Sequence, residues 1–441
     1  MAVAYDVVII GAGAAGLAAA AEIARAGRSA LVLEARDRIG GRCWSLDIPG
    51  MPVPVELGAE FIHGRPRATF SLLESAGVAA IDRTGSWWHV ERGRLRPTGD
   101  VMGELREALR RRRLPRKDIS FEAYLNGELR RVSARARAFA LRRVEGYDAA
   151  DPARVSARSI IEEWFGEDDA GSASHFRPLG GYARPLEALA RTLAGSGVEL
   201  RLRSTAAEIH WRRGHVEIAG REDGRPFHVS AGSAIVTLPL GVLQRAPQAE
   251  GAVLFAPALA QKDRALRGLA PSPVMKVVMR FRSAFWDELD EGRYADAAFL
   301  RSLDAPFPSV WTALPVRTPL LVAWAGGPRA ERLSGIAPRE VMERAIESVE
   351  SIFGKRAGIA RRLEAAWFHD WQHDPFSRGA YSYVTVGGAG ARKALSEPLQ
   401  NTLFFAGEAT EFSGEHGTVA GALMSGTRAA RQLLTRMKDE G

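Results

Sequence analysis

Hydrophobic positions along the chain follow two periods that exchange repeatedly. Residues 7–10 (VVII) are a short, wholly apolar run of the kind that fills a parallel strand buried on both faces. Small and apolar residues then recur at helical spacing at Leu17, Ala20, Ala21 and Ala24, Gly27 ends the helix, and residues 29–33 (SALVL) return as a second strand. Between strand and helix stand Gly11, Gly13 and Gly16, placed for a tight turn, close backbone approach to a pyrophosphate, and close packing of helix on strand. The pattern predicts a dinucleotide site with phosphates at the helix N-terminus. Glu34, at the tip of the second strand, is positioned for ribose hydroxyls and would repel a 2′-phosphate. Residues 35–42 (ARDRIGGR) add a second glycine pair and Arg42, a bidentate donor for a diphosphate.

Further along, residues 54–64 mix apolar positions with Gly58 and Gly64 and hold an acid and a histidine close together. Residues 74–169, rich in Arg, Ala, Leu and Glu, read as mainly helical, an inserted lobe. Glycines and a short helix return at 177–193, then strands at 198–202 and 206–211, a small antiparallel meander at 215–220 and 227–229, and a buried strand at 233–238. From 258 to 371 longer strands separated by prolines, such as 274–281 and 320–325, precede a helix at 338–353. Residues 403–408 form a buried strand ending in glycine and an acid, and 420–434 is helical. The expected class is α/β. A Rossmann-type dinucleotide domain, a parallel sheet with helices and a small meander, is assembled from 1–75, 176–257 and 372–441. A substrate domain has a helical part at 76–175 and a mixed-sheet part at 258–371.

Length and composition narrow the class without changing it. A chain of 441 residues, 46% hydrophobic and 25% charged, suits two or three folded domains of a soluble protein. The net charge of +8 is an arginine effect, since six of the 60 basic residues are lysine. One basic run, 110–117 (RRRRLPRK), follows an amphipathic stretch at 102–109 and reads as a solvated helix end, so neither nucleic acid nor membrane is expected as a partner. Cys43 is the single cysteine, which excludes an intramolecular disulfide or a cysteine-based metal cluster and fits a reducing, cytoplasmic setting. The first strand begins too early for a signal peptide, and no run of about 18 apolar residues suggests a membrane anchor. No metal is expected, and the oligomeric state is not legible.

Several residues could carry chemistry. Alternation in PVMKVVMRF puts Lys276 on the face of Val274 and Val278, where it serves a polar cavity or points to solvent from an edge strand. Tyr381 and Tyr383 read as strand aromatics or site residues, and Trp371 as a core ring or a cofactor-packing one. His63 is a core histidine or a substrate contact. Glu60 and Glu415 are surface or capping acids, or anchors for a substrate's distal ammonium groups.

The glutamate followed by an RxGGR turn resembles the flavoproteins of the amine oxidase superfamily, and the similarity extends through 4–64, 178–243, 273–287 and 367–434. Its motifs lie nearest those of the spermine and polyamine oxidases. The resemblance implies an FAD-binding domain and oxidation of a primary or secondary amine, a polyamine favoured, with O2 reduced to hydrogen peroxide. An L-amino acid oxidase of the same fold is the alternative, and a flavin-stabilised chromatin or nucleic-acid scaffold a more distant one. It also implies roles residue by residue. Lys276 holds a water at flavin N5, Tyr381 steers the amine, and Thr418 and Val419 open a helix facing the N1–O2 edge. Glu408 reaches a ribitol hydroxyl, and Trp371 packs on the ring. Ala14, Ala15, Ala35, Arg36, Gly41, Gly58, Ala59, Glu60, Ala206 and Gly407 line the cofactor, while Phe61, His63 and Glu415 join Glu60 and Tyr381 around the substrate. Ala380 replaces the cysteine that bonds the flavin in monoamine oxidases, so FAD is expected to bind without a covalent link.

Overall fold

The computed structural model describes residues 5–99, 103, 105, 107, 109, 114–130, 132–166 and 174–439. Its architecture is α/β, organised on an eight-stranded and a seven-stranded sheet. In the first, Val198–Arg201, Ala30–Leu33, Tyr5–Ile10, Arg225–Val236 and Leu403–Phe405 run parallel in that spatial order. Val7, Val8 and Ile9 have no exposed surface, as a strand covered on both faces requires. Ser204–Arg212 and His215–Glu222 continue the sheet antiparallel from Arg225–Val236, forming the expected meander. Helices Ala14–Arg25 and Val419–Asp439 cover one face. They approach so closely that a Cβ on Gly426 would collide with the Ala15 carbonyl oxygen, while Leu17, Ile23 and Leu433 fill the contact.

Gly11 follows the first strand, Glu34 the second, Thr237 the strand Arg225–Val236, and Gly407 and Glu408 the strand Leu403–Phe405. All four carboxyl ends open on one cavity, the place where a parallel sheet presents its ligand.

The second sheet runs Leu363–Phe368, Val274–Phe281, Leu320–Gly326, Ser309–Thr312, Ala297–Arg301, Ser86–Glu91 and Arg94–Pro97. Met275, Val277 and Met279 turn to one face and pack with Val341, Ala345 and Val349 of helix Pro338–Phe353. Val274 and Lys276, on the opposite face, line the cavity, and Val278 packs with Val55, Leu57 and Trp311. Helices Phe121–Gly127, Ala134–Gly146 and Ala157–Gly166 close a third core around Phe121, Tyr124 and Trp164.

The structure corrects the sequence reading in two places. Residues 86–97, expected within a mainly helical stretch, form a hairpin on the second sheet: Trp88 joins the core on one face while Trp87 turns to the cavity on the other, and Arg92 and Gly93 both take positive φ at the turn. The segments 227–229 and 233–238 are one strand, Arg225–Val236, long enough to serve both meander and parallel core. Residues 110–113 of the basic run lie outside the described residues. Among the described residues, no helix is long and apolar enough to cross a membrane.

Candidate active site

One cavity of about 1350 Å³ runs from the carboxyl edge of the parallel sheet to the second sheet. At its first end, helix Ala14–Arg25 starts at Gly13 with no side-chain cap and no acid in its first turn, leaving backbone N–H groups for an anion. A Cβ on Gly13 would meet nothing within 4 Å, whereas one on Gly16 would strike the Gly11 carbonyl oxygen. Gly13 therefore borders open space and Gly16 closes the packing. Glu34 accepts from the Ala12 N–H at 2.8 Å and the Arg36 N–H at 2.9 Å, which fixes its carboxylate at the cavity wall. Arg36 itself engages Asp374 at 2.8 Å and Ser377 at 2.9 Å. Burial opposes charge on Asp374, but hydrogen bonds from His369 and Arg36 hold its carboxyl well below the usual range.

Arg42 sits in the same wall, bonded to the Ala380 carbonyl and 3.1 Å from Glu408. The second Glu408 oxygen accepts from the Ser382 hydroxyl at 2.8 Å. Ala15, Ala35, Gly41, Ala206 and Gly407 line this end too, and Ala59 lies beside it with its N–H on the Arg42 carbonyl. Glycines, an uncapped helix, a fixed carboxylate and an arginine are the donor set a dinucleotide needs, so the residues present fit such a cofactor.

Midway, Lys276 is 2% exposed, which decides between its two sequence readings in favour of the buried one. Its Nζ lies 2.7 Å from Glu60 and 3.2 Å from the Gly58 carbonyl oxygen, and 5.9 Å from the centre of the Trp311 ring. Glu60 also takes the Arg177 Nε at 2.8 Å and the Trp311 Nε1 at 3.1 Å. Burial pushes against its charge, yet Lys276 and Arg177 hold the carboxyl down to about 2. Glu60 is thus a fully partnered internal anion. Trp371 is buried, with its Nε1 on the Leu57 carbonyl at 3.0 Å, and its ring stands against Gly58. Tyr381 donates to the Tyr147 carbonyl at 2.8 Å and borders the cavity. Thr418 is the cap of helix Val419–Asp439: its hydroxyl accepts from the Gly421 N–H at 3.0 Å and donates to the Glu415 carbonyl at 2.6 Å. Thr418, Val419 and Glu415 all reach the cavity, and burial followed by Glu411 pushes the Glu415 carboxyl upward.

At the far end, Phe61 meets Trp311 and Phe299 at 5.5 and 6.0 Å between ring centres. His63 faces His175, Nδ1 to Nδ1 at 2.9 Å, so one ring must donate and the other accept. Burial, then Arg83 and Arg143, lower His63 to about 4, keeping it neutral at pH 7. His175, Tyr147, Arg83, Arg301, Trp87 and Trp324 were not singled out from sequence. Of these only Trp324 lay in a stretch read as a strand, while Arg83, Trp87 and Tyr147 fell in the stretch read as mainly helical and Arg301 and His175 carried no signal.

A parallel-sheet dinucleotide cradle is thus joined through one cavity to a second sheet carrying a buried lysine. The chain belongs to the flavin containing amine oxidoreductase family, whose model matches residues 14–434. That membership implies a flavin. Human lysine-specific histone demethylase 2 is 28% identical over 97% of this chain and 53% of its own length, so the chain spans about half of that relative. Polyamine oxidase 2 of Arabidopsis thaliana is 27% identical over 98% of this chain and 88% of its length. Among solved structures, cyclohexylamine oxidase from Brevibacterium oxydans aligns with a TM-score of 0.80 at 21% identity, covering 98% of this chain and 99% of that one. Putrescine oxidase bound to putrescine aligns with a TM-score of 0.79 at 22% identity over the same shares. These two likenesses support the fold.

Proposed function

We propose that the chain is an FAD-dependent amine oxidase that converts a primary or secondary amine to an imine, reduces O2 to hydrogen peroxide, and leaves the imine to hydrolyse. The observation that carries this is the buried Lys276 in the wall of the same cavity that ends at Gly13 and Glu34. When bound, a flavin would supply the acceptor for a hydride from the amine α-carbon and the route for its electrons to oxygen. Gly11, Gly13 and the following helix would hold the pyrophosphate, Arg42 would meet its charge, and Glu34 and Glu408 would take the ribose and the ribitol. The Cys43 thiol is buried and pushed up to about 12, and Ala380 offers no nucleophile, which supports non-covalent binding.

An ammonium has three N–H donors. Lys276 commits two, to Glu60 and Gly58, and the third can hold a water beside the reacting atoms. Tyr381, fixed by its bond to Tyr147, orients the amine. Aromatic walls and nearby guanidinium groups disfavour a substrate ammonium, favouring the neutral amine whose lone pair hydride loss requires. Likeness to polyamine oxidase 2 favours a polyamine as the substrate, with Glu415 rather than the saturated Glu60 as the acid free to meet a second ammonium.

The test is a panel of spermidine, benzylamine and leucine, read anaerobically as flavin bleaching and aerobically as peroxide. Bleaching by at least one amine is expected, and a colourless protein that takes up no flavin would end the reading. Lys276→Met should retain flavin yet slow its reoxidation at least about tenfold. Unchanged reoxidation would remove the lysine from the mechanism.

A further inference from the structure

Strand pairing places Lys276 opposite Trp324, Trp324 opposite Ser309, and Ser309 opposite Arg301. Directly opposed residues share a face, so these four form one row across four strands, and all four line the cavity. With strands about 4.8 Å apart, Arg301 lies roughly 14 Å from Lys276 along that row. The neighbouring row on the same face is aromatic: Phe299 opposes both Trp311 and Trp87, and it stacks on Trp87 at 4.6 Å.

Arg301 stands 5.0 Å from the Trp87 ring centre, and Arg83 stands 5.0 Å from the same ring and 4.6 Å from Phe299. Neither guanidinium has a hydrogen bond or ion pair among the described residues, and the buried Nε of each is without a partner. Arg142, by contrast, holds Glu145 at 2.6 Å and Arg177 holds Glu60 at 2.8 Å. The charges acting on Arg301 are the cations Arg143 and Arg83, and at Arg83 the one opposing charge, Asp82, raises the pKa less than burial and Arg177 lower it. Burial, then Arg143 and Arg83, press the Arg301 guanidinium down to about 10, so it remains cationic at pH 7. Two cations at one cavity wall without counter-ions are costly unless an anion joins them.

We propose that Arg83 and Arg301 form an anion subsite at the end of the cavity away from Lys276, and that the preferred substrate is an amine whose far end carries a carboxylate. This deepens the amine oxidase reading and rests on it, and it sets a carboxylate-ended amine above the polyamine that similarity alone favours. The aromatic row gives the connecting chain an apolar floor, and planar guanidinium groups suit a bidentate carboxylate. A second ammonium at this end would meet like charge.

Three substrate series of matched length separate the outcomes: ω-amino carboxylates from aminobutanoate to aminooctanoate, the corresponding diamines, and plain alkylamines. The best amino carboxylate is expected to exceed the alkylamine of equal length in kcat/KM at least about tenfold, and the diamine by more. In Arg301→Met the ratio of amino carboxylate to alkylamine should fall about tenfold, and Arg301→Lys should recover part of it. Pentanoate, which has no amine to oxidise, should bind the flavin-loaded protein in calorimetry and lose about tenfold in affinity in Arg83→Gln, a second variant independent of Arg301. Diamines or alkylamines that match or exceed the amino carboxylates, or a ratio untouched in both variants, would overturn the subsite while leaving amine oxidation standing. No bleaching by any series would instead sink the underlying reading.

Discussion

The two ends of the cavity are made of different material. The nucleotide end is backbone: Gly11, Gly13 and Gly16, an uncapped helix start, and a carboxylate held by the N–H groups of Ala12 and Arg36. The substrate end is side chain: Lys276, Trp311, Phe299, Trp87 and Arg301 come from four strands, and 224 positions separate Trp87 from Trp311. A backbone site is specified by a contiguous stretch, and its chemistry is the same whatever the dinucleotide enzyme does. A side-chain site is specified by strand register, and it is where one member of a fold differs from the next.

The largest effect should come from testing whether the glycines of the backbone end are separable. In Gly16→Ala the new Cβ would meet the Gly11 carbonyl, a backbone atom that cannot move without shifting the strand. That variant should lose about 3 kcal/mol or more and retain no flavin. Gly13 has φ −73 and open space where a Cβ would go, so Gly13→Ala should nearly keep the apoprotein's melting temperature. Its flavin affinity should nevertheless fall about 100-fold, close to 3 kcal/mol. Thermal melts of flavin-stripped protein and flavin titrations read the two separately. Equal damage to the fold in both variants would mean that Gly13 is also a packing residue.

The same contrast explains what the sequence made legible. The strand, helix and acid around Gly11 were readable because each signal is local: an apolar run, a helical period and a turn that needs glycine. Lys276 was half legible, since alternation gave its face but not whether that face was buried. Its partner Glu60 is 216 positions away, and only register and burial bring them to 2.7 Å. Trp87 and Arg83 were hidden further because residues 74–169 carry the composition of a helical lobe. That composition masked a hairpin of two short strands, Ser86–Glu91 and Arg94–Pro97. Arg301 gave no signal among so many arginines. What sets it apart is the absence of a counter-ion among the described residues, which composition does not record.

Glu56 sharpens the comparison from the seam between the ends. It is buried in strand Val55–Glu56, accepts from the Ser45 hydroxyl at 2.9 Å and the Tyr182 N–H at 3.0 Å, and lies in the field of Lys276. Burial outweighs those partners and pushes its carboxyl up to about 7 from an ordinary 4.5. A folded pKa above the unfolded one gives stability that is complete below about 4.5 and lost as pH rises through about 7. Glu56→Gln, which keeps an acceptor for both donors, should therefore gain on the natural chain by about 1–3 kcal/mol between pH 5 and pH 8. Denaturant melts across that window check it. A difference that stays flat with pH would place the Glu56 proton elsewhere, with Lys276 alone setting the charge at the seam.

The smallest effect tests whether Thr418 belongs to the backbone end or to the chemistry. Its hydroxyl already has two local tasks, receiving the Gly421 N–H and donating to the Glu415 carbonyl, which is how a capping residue behaves. Thr418→Ala should cost about 1 kcal/mol of stability, and Thr418→Ser should restore most of it. If capping is the whole role, turnover by the alanine variant at a temperature well below its melt should change less than about twofold, because the helix N-terminus itself remains. A fall of about tenfold or more in Thr418→Ala, with stability nearly intact, would instead make the hydroxyl part of the substrate end, and the division between a backbone cradle and a side-chain pocket would have to be redrawn at this helix.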